Sequence, residues 1–226
     1  MSDSAEHKYS IARLSTVALD ILGRYSLLNG SKTVKALGIS ERKERERAQR
    51  EQRIIAAART LAERDGWASV TVRRLAQEIE YSQPVLYAHF ENRDAIVGAV
   101  ALEGFGELAP ALRGSVRKGA IPEQAIEAVA TAYLDFAFKR PALYEAMFVL
   151  PTGLRFAKSD TPQVLRETFG AMMAVVEPFS SDPEIATETF WAALHGLAEL
   201  ERHGRIRAAF RSERVRRLVE MFAHRG

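Results

Sequence analysis

The apolar residues of this chain recur at spacings of three and four along almost its whole length, and strict alternation never persists. A helix turns once in about 3.6 residues, so this spacing gathers apolar side chains on one face, whereas a strand needs a period of two. The pattern predicts an all-α fold. A length of 226 residues suits one large domain or two small ones with a real core. Hydrophobic residues make up 47% and charged residues 27%, a globular balance that argues against disorder.

Several classes of function fall away at this point. Without cysteine, neither a disulfide framework nor a thiolate metal site is expected. The opening "MSDSAEHKYS" is polar and lacks the layout of a signal peptide. No uninterrupted apolar run approaches the ~18 residues of a membrane span. A cytoplasmic protein with no membrane partner is the expectation. The net charge of +3 is mild, so any footprint for a polyanion must be local.

The chain reads as three regions: an extension over 1–40, a head over 41–100 and a helical body over 101–226. The extension carries two candidate short helices on either side of Asn29-Gly30 and is expected to be mobile. The run "ERKERERAQREQR" at 41–53 holds six cations and four glutamates, the composition of a solvated helix held by pairs four residues apart. Arg42 to Arg47 could instead serve as a basic arm in a minor groove.

The densest signal lies between Ile54 and Asn92. Ile54, Ile55, Ala58, Leu61 and Ala62 share one helical face, and Gly66 provides the stop. Thr71 then caps a short helix with Val72, Leu75, Ala76 and Ile79 turned inward. Ser82 caps a second one, with Pro84 in its first turn, where a missing N–H costs nothing. Two short helices behind a longer one make a helix-turn-helix.

In the second short helix Leu86 and Phe90 face the core, leaving Gln83, Pro84, Val85, Tyr87, Ala88 and His89 outward. A solvated face would carry Lys, Glu or Arg. Small apolar groups suit thymine methyls, Gln can pair with an adenine edge, and Tyr and His can donate to phosphates. Arg50, Arg53, Arg73, Arg74 and Arg93 surround this surface, and Asn92 caps the next helix. Double-stranded DNA is therefore the expected partner.

The segment from Ile54 to Val100, above all "VLYAHFENRDAI", resembles the DNA-binding domain of the TetR-type transcriptional regulators. The resemblance implies an all-α homodimer whose C-terminal domain binds a small molecule, acting mostly as a repressor. It implies that Thr71 and Ser82 hold phosphates, that Gln83, Pro84 and Val85 face bases, and that Tyr87 and His89 contact the backbone. Arg93 stands where the family usually has lysine. Glu80 replaces the usual glycine of the turn, which would cost roughly 1–2 kcal/mol in a left-handed backbone and predicts a slightly opened turn.

The body reads as further helices broken at Pro141, between Leu150 and Pro162, near Pro178 and near Gly204. The resemblance places the last two long helices across a dimer axis. The expected interface residues are Leu194, Leu197, Val215, Leu218, Val219 and Phe222, with Gly196 allowing close approach. Such a dimer would read a palindromic operator.

Large adaptable side chains mark a candidate effector cavity: Tyr133, Phe136, Phe148, Phe156 and Phe169. Met172, Met173, Trp191 and His195 belong to the same group. The mostly apolar set predicts an apolar or aromatic effector. Two other readings stay open. The body could be a protein-interaction module without a small-molecule site. Alternatively, His195, Glu199 and His203, at i, i+4 and i+8, have a spacing that could hold zinc in a helical enzyme, although polar helix surface is the plainer account. No phosphate loop or nucleophile motif is present, so neither catalysis nor a cofactor is expected.

Overall fold

A computed structural model describes residues 40–156 and 158–223. The expectations for residues 1–39, and with them nearly all of the extension, lie outside the described residues. Among the described residues there are helices and no strands.

The chain divides into two compact units, Met1–Glu51 and Gln52–Gly226. In the first, residues 40–51 are helical and almost wholly exposed. Arg42 Nε donates to Glu46 at 2.9 Å and Arg47 Nε to Glu51 at 3.0 Å. These are the pairs expected of a solvated helix. Two of the cations suggested for a minor-groove arm, Arg42 and Arg47, are bound to carboxylates within a regular helix instead.

The second unit opens with α1, residues 52–65, whose predicted apolar face is buried: Ile54 and Ala58 are fully covered. One turn of 3-10 helix, Trp67–Ser69, leads to α2, Val72–Glu78. Thr71 caps α2 by accepting from Arg74 N at 3.2 Å. Next comes α3, Gln83–Tyr87, then α4, Arg93–Ser115, capped by Asn92, which accepts from Ala95 N at 2.9 Å. The body continues with α5, Pro122–Lys139, and α6, Pro141–Phe148, separated at Arg140 because proline cannot continue the hydrogen-bond ladder. The last elements are α7, Gln163–Val176, α8, Pro183–Arg202, and α9, Arg211–Ala223.

α4 packs against α5, α6 and α7, while α5 also packs against α8 and α9. Because α4 runs through position 100, head and body share a helix and one continuous cluster of buried residues from Ile54 to Val219. α6 crosses α4 at Gly104, where a Cβ would strike Met147 and Leu143. Glycine is what allows that approach. α4 is also the one helix among the described residues with the length and hydropathy of a membrane span, yet 56% of its apolar window is buried within the fold. Its apolar character is used in packing.

The turn between α2 and α3 departs from expectation. Glu80 has φ 57, in the left-handed region, as a glycine would. The turn is nevertheless closed. Tyr81 N donates to Ala76 O at 2.9 Å and Glu80 N to Gln77 O at 3.4 Å, the paired bonds of a Schellman ending. The slight opening predicted from the missing glycine is thus corrected: the backbone bonds hold the turn, and Glu80 carries the strain.

Candidate nucleic-acid interface and interior cavity

α3 is held from behind by Leu86, 1% exposed, with Val85, His89 and Phe90 half-buried. Burying a leucine contributes roughly 1.5–3 kcal/mol, enough to fix so short a helix on the head. Gln83, Pro84, Ala88 and Tyr87 are exposed, Tyr87 by 54%. The outward surface is narrower than predicted, because Val85 and His89 turn partly inward. Thr71 lies exposed at the start of α2 and Ser82 at the start of α3. Thr71 accepts its capping bond, which leaves the hydroxyl proton to donate outward, and Ser82 makes no side-chain capping bond.

The cations divide into two groups. Arg53 and Arg73 are exposed, and Arg53 Nη1 donates to the Tyr81 hydroxyl at 3.4 Å. Arg50 is exposed within the first unit. Arg74, by contrast, is ion-paired to Asp65. Arg93 donates from Nε to Val70 O at 2.8 Å and from Nη2 to Trp67 O at 2.7 Å. Its expected role as a phosphate ligand is corrected on this geometry. A guanidinium bonded to two backbone carbonyls positions the loop before α2 and has few donors left. Val72 packs against the core beside Leu75 and does not reach the surface freely.

A second site lies inside the body. A cavity of about 50 Å³ is lined by Phe105, Phe148, Phe156, Leu165, Thr168, Phe169, Met172 and Trp191. Five of the predicted residues meet there: Phe148, Phe156, Phe169, Met172 and Trp191. Two others sit just behind the wall. Trp191 Nε1 donates to the Tyr133 hydroxyl at 3.1 Å, the Tyr133 and Tyr144 hydroxyls are 2.9 Å apart, and Tyr144 Oη lies 2.7 Å from His195 Nδ1. Phe136 is excluded: it is buried elsewhere, under the Arg140 guanidinium at 5.5 Å. Met173 is half-buried on α7 and does not line the cavity.

Phe105, Leu165, Thr168 and Tyr144 were not foreseen. Phe105 lies within the long apolar run of α4, where nothing local separates a cavity wall from plain core. Tyr144 joins Tyr133 only through the crossing of two helices. Burial raises the Tyr133 hydroxyl well above its usual value, so it stays protonated. Burial likewise lowers the His195 imidazole, opposed by Glu199 and assisted by Arg202. A neutral His195 accepting at Nδ1 completes a one-way chain from Trp191 through Tyr133 and Tyr144.

The zinc spacing does not converge. His195 turns inward to Tyr144, Glu199 pairs with Arg202 at 2.6 Å, and His203 Nδ1 bonds the Glu199 backbone at 2.8 Å.

The predicted dimer set also needs correction. Leu194, Val215 and Val219 are buried in the chain's own core, and Leu218 is 8% exposed. Phe222 packs edge-on against Phe190 at 5.3 Å. Leu197 is half-buried. Val215, Val219 and Leu194 face inward because α5 needs apolar cover. The outward face of α8 instead presents Ile185, Thr189, Ala192, Gly196 and Leu200, with Ile185 62% exposed. These positions recur at three and four, hence on one side. Beside them a groove of about 290 Å³ runs between α8 and α9, floored by Ala193, Leu218 and Phe222 and edged by the exposed Met221. At Gly196 a Cβ would meet open space, so nothing among the described residues requires glycine there.

Residues 54–100 match the family model for bacterial regulatory proteins of the tetR family, and residues 126–222 match that for the tetracyclin repressor-like C-terminal domain. An uncharacterized HTH-type transcriptional regulator of Mycobacterium tuberculosis is 31% identical over 157 residues, 67% of this chain and 69% of the relative. Among solved structures, a Rhodococcus sp. RHA1 protein of unknown function aligns with TM-score 0.62 and 25% identity, covering 76% of this chain and 93% of that one. A substituted TetR from Acinetobacter baumannii AYE, solved in complex with minocycline, aligns with TM-score 0.57 and 20% identity, over 75% of this chain and 93% of that one. Helix-turn-helix head and helical body both find their counterparts, and the chain belongs to the TetR family of transcriptional regulators.

Proposed function

We propose that this regulator works as a homodimer that represses at palindromic operators and is released by a small apolar or aromatic effector. The observation that carries the DNA-reading role is the uncharged, exposed face of Gln83, Pro84 and Tyr87 on a helix anchored by Leu86. Gln83 reads a base edge, while Tyr87 and the Thr71 and Ser82 hydroxyls hold phosphates. His89 and Val85 contribute from the partly covered side of α3, and Arg53, Arg73 and Arg50 supply attraction without sequence. The α8 stripe and its groove support a symmetric partner, which would set two heads about 34–36 Å apart on one face of the duplex.

Enrichment of a randomised duplex pool on the full chain at near-physiological salt tests this reading. A palindromic motif is expected. Tyr87→Ala should then weaken binding to every sequence about equally, whereas Gln83→Ala should relax preference at one base step by roughly 1–3 kcal/mol. Operator binding unchanged in both variants would sink the placement of α3 on DNA.

One observation favours a second reading, in which the body binds a protein and no small molecule. The cavity of about 50 Å³ is far below the ~300 Å³ of a typical ligand site. An effector must therefore enlarge it, and a body that never opens would leave protein contacts as the input.

A further inference from the structure

We infer that the interior cavity takes a neutral, planar, fused aromatic molecule, held face to face between Phe156 and Trp191. The inference rests on the effector-responsive reading above and deepens it by naming the class of compound. Five of the eight lining residues are rings: Phe105, Phe148, Phe156, Phe169 and Trp191. Two of them, Phe156 and Trp191, are nearly parallel, with an interplanar angle of 23° and centroids 6.3 Å apart. Carbon atoms in contact sit about 3.5–4.0 Å apart, so a ring between two others needs roughly 7 Å. The pair must therefore separate to admit one, and the cavity of about 50 Å³ must open with it.

Two of the remaining rings are set at an angle to this pair. Phe105 meets Phe156 edge-on at 66° and 6.0 Å, and Phe148 is tilted by 56° against Trp191 at 5.8 Å. A planar guest would thus have two faces above and below and ring edges at its side, the geometry that aromatic quadrupoles favour. A flexible chain gains nothing from parallel faces.

The wall also excludes charge. Among the described residues no ionisable side chain lines the cavity. Its two polar groups are already used, since Trp191 Nε1 donates to Tyr133, and the Thr168 hydroxyl is bonded to Val164 O at 2.8 Å. An ionised guest would lose its hydration and find no partner. Phe156, 38% exposed on the irregular segment after α6, has the least packing to lose when the pair separates.

Calorimetric titration of the full-length protein with three probes tests this. The probes are 2-naphthol, a neutral fused arene; 2-naphthoate, the same skeleton ionised; and 1-octanol, a neutral flexible chain. Naphthol should bind at least tenfold more tightly than either of the others. Phe156→Leu keeps the apolar wall but removes one ring face, and should weaken naphthol about three- to tenfold. Its melting temperature should be unchanged, which separates lost stacking from lost folding. Octanol or naphthoate binding as tightly as naphthol, or no binding by any probe, overturns the inference. So does a Phe156→Leu variant that binds naphthol like the parent. Adding the enriched operator separates the two claims. Naphthol binding that leaves operator affinity unchanged keeps the aromatic site and overturns the effector response; release by a charged compound alone keeps the response and overturns the aromatic site.

Discussion

Glu80 sits in a conformation suited to glycine, and the bonds around it leave the turn no other shape. Replacing it with glycine removes strain of roughly 1–2 kcal/mol, against roughly 0.4–1 kcal/mol for the extra freedom of the unfolded chain. Relief wins, so Glu80→Gly should stabilise the protein by about 0.5–1 kcal/mol in denaturant titration. His195 makes an opposite kind of prediction. Its imidazole is lowered by burial, so its stabilising contribution is complete above about pH 6.5 and is lost as pH falls below that value. Protonation would also turn Nδ1 into a donor and reverse the Tyr144 bond, leaving the Tyr133 proton without an acceptor. The urea midpoint should therefore drop between about pH 7.5 and about pH 5.5, and His195→Gln should flatten that slope. The Glu80 problem was legible in the sequence because one residue broke a local rule. The fate of Arg93 was not, since its two carbonyl partners lie 23 and 26 residues away.

At the scale of elements, periodicity placed the helices well and their facing less well. The stripe Val215, Leu218, Val219 and Phe222 marks α9 plainly, yet an apolar stripe cannot say whether it meets its own chain or a partner's. Burial decides for the former at Val215 and Val219, while Leu218 and Phe222 also floor the groove beside α8. α6 shows what a window of sequence cannot contain. Its first turn receives a 2.7 Å bond from Trp67 Nε1 at Ala142 O, and Leu143 N donates to Glu63 at 3.2 Å. Its last residue, Phe148, lines the cavity. Trp67→Phe keeps an aromatic ring but removes the indole bond to Ala142 O and leaves space in the core, a loss of about 1–3 kcal/mol in unfolding free energy. A variant as stable as the parent would mean that water replaces the bond.

For the whole molecule, the all-α architecture and the head were readable because caps, stops and staples are local chemistry. The proposed partner surface was not, because it is defined by what the core leaves over. Gly196 tests it. Nothing in the described chain lies within 4 Å of a Cβ placed there, so Gly196→Leu should leave the melting of the protomer fold within about 0.5 kcal/mol. Sedimentation should nevertheless shift toward monomer, and operator affinity should fall with it. A leucine variant that stays dimeric would move the interface away from α8.

The head does not end with α3. The Trp67 indole and the Glu63 carboxylate are hydrogen-bonded to α6, and α4 is common to both parts. Anyone recombining heads and bodies among relatives to rewire a genetic circuit would therefore inherit a mismatch at this joint. A graft cut at residue 100 needs a body that offers an accepting carbonyl to the incoming tryptophan, and a compatible first turn of α6 becomes the criterion for choosing parents.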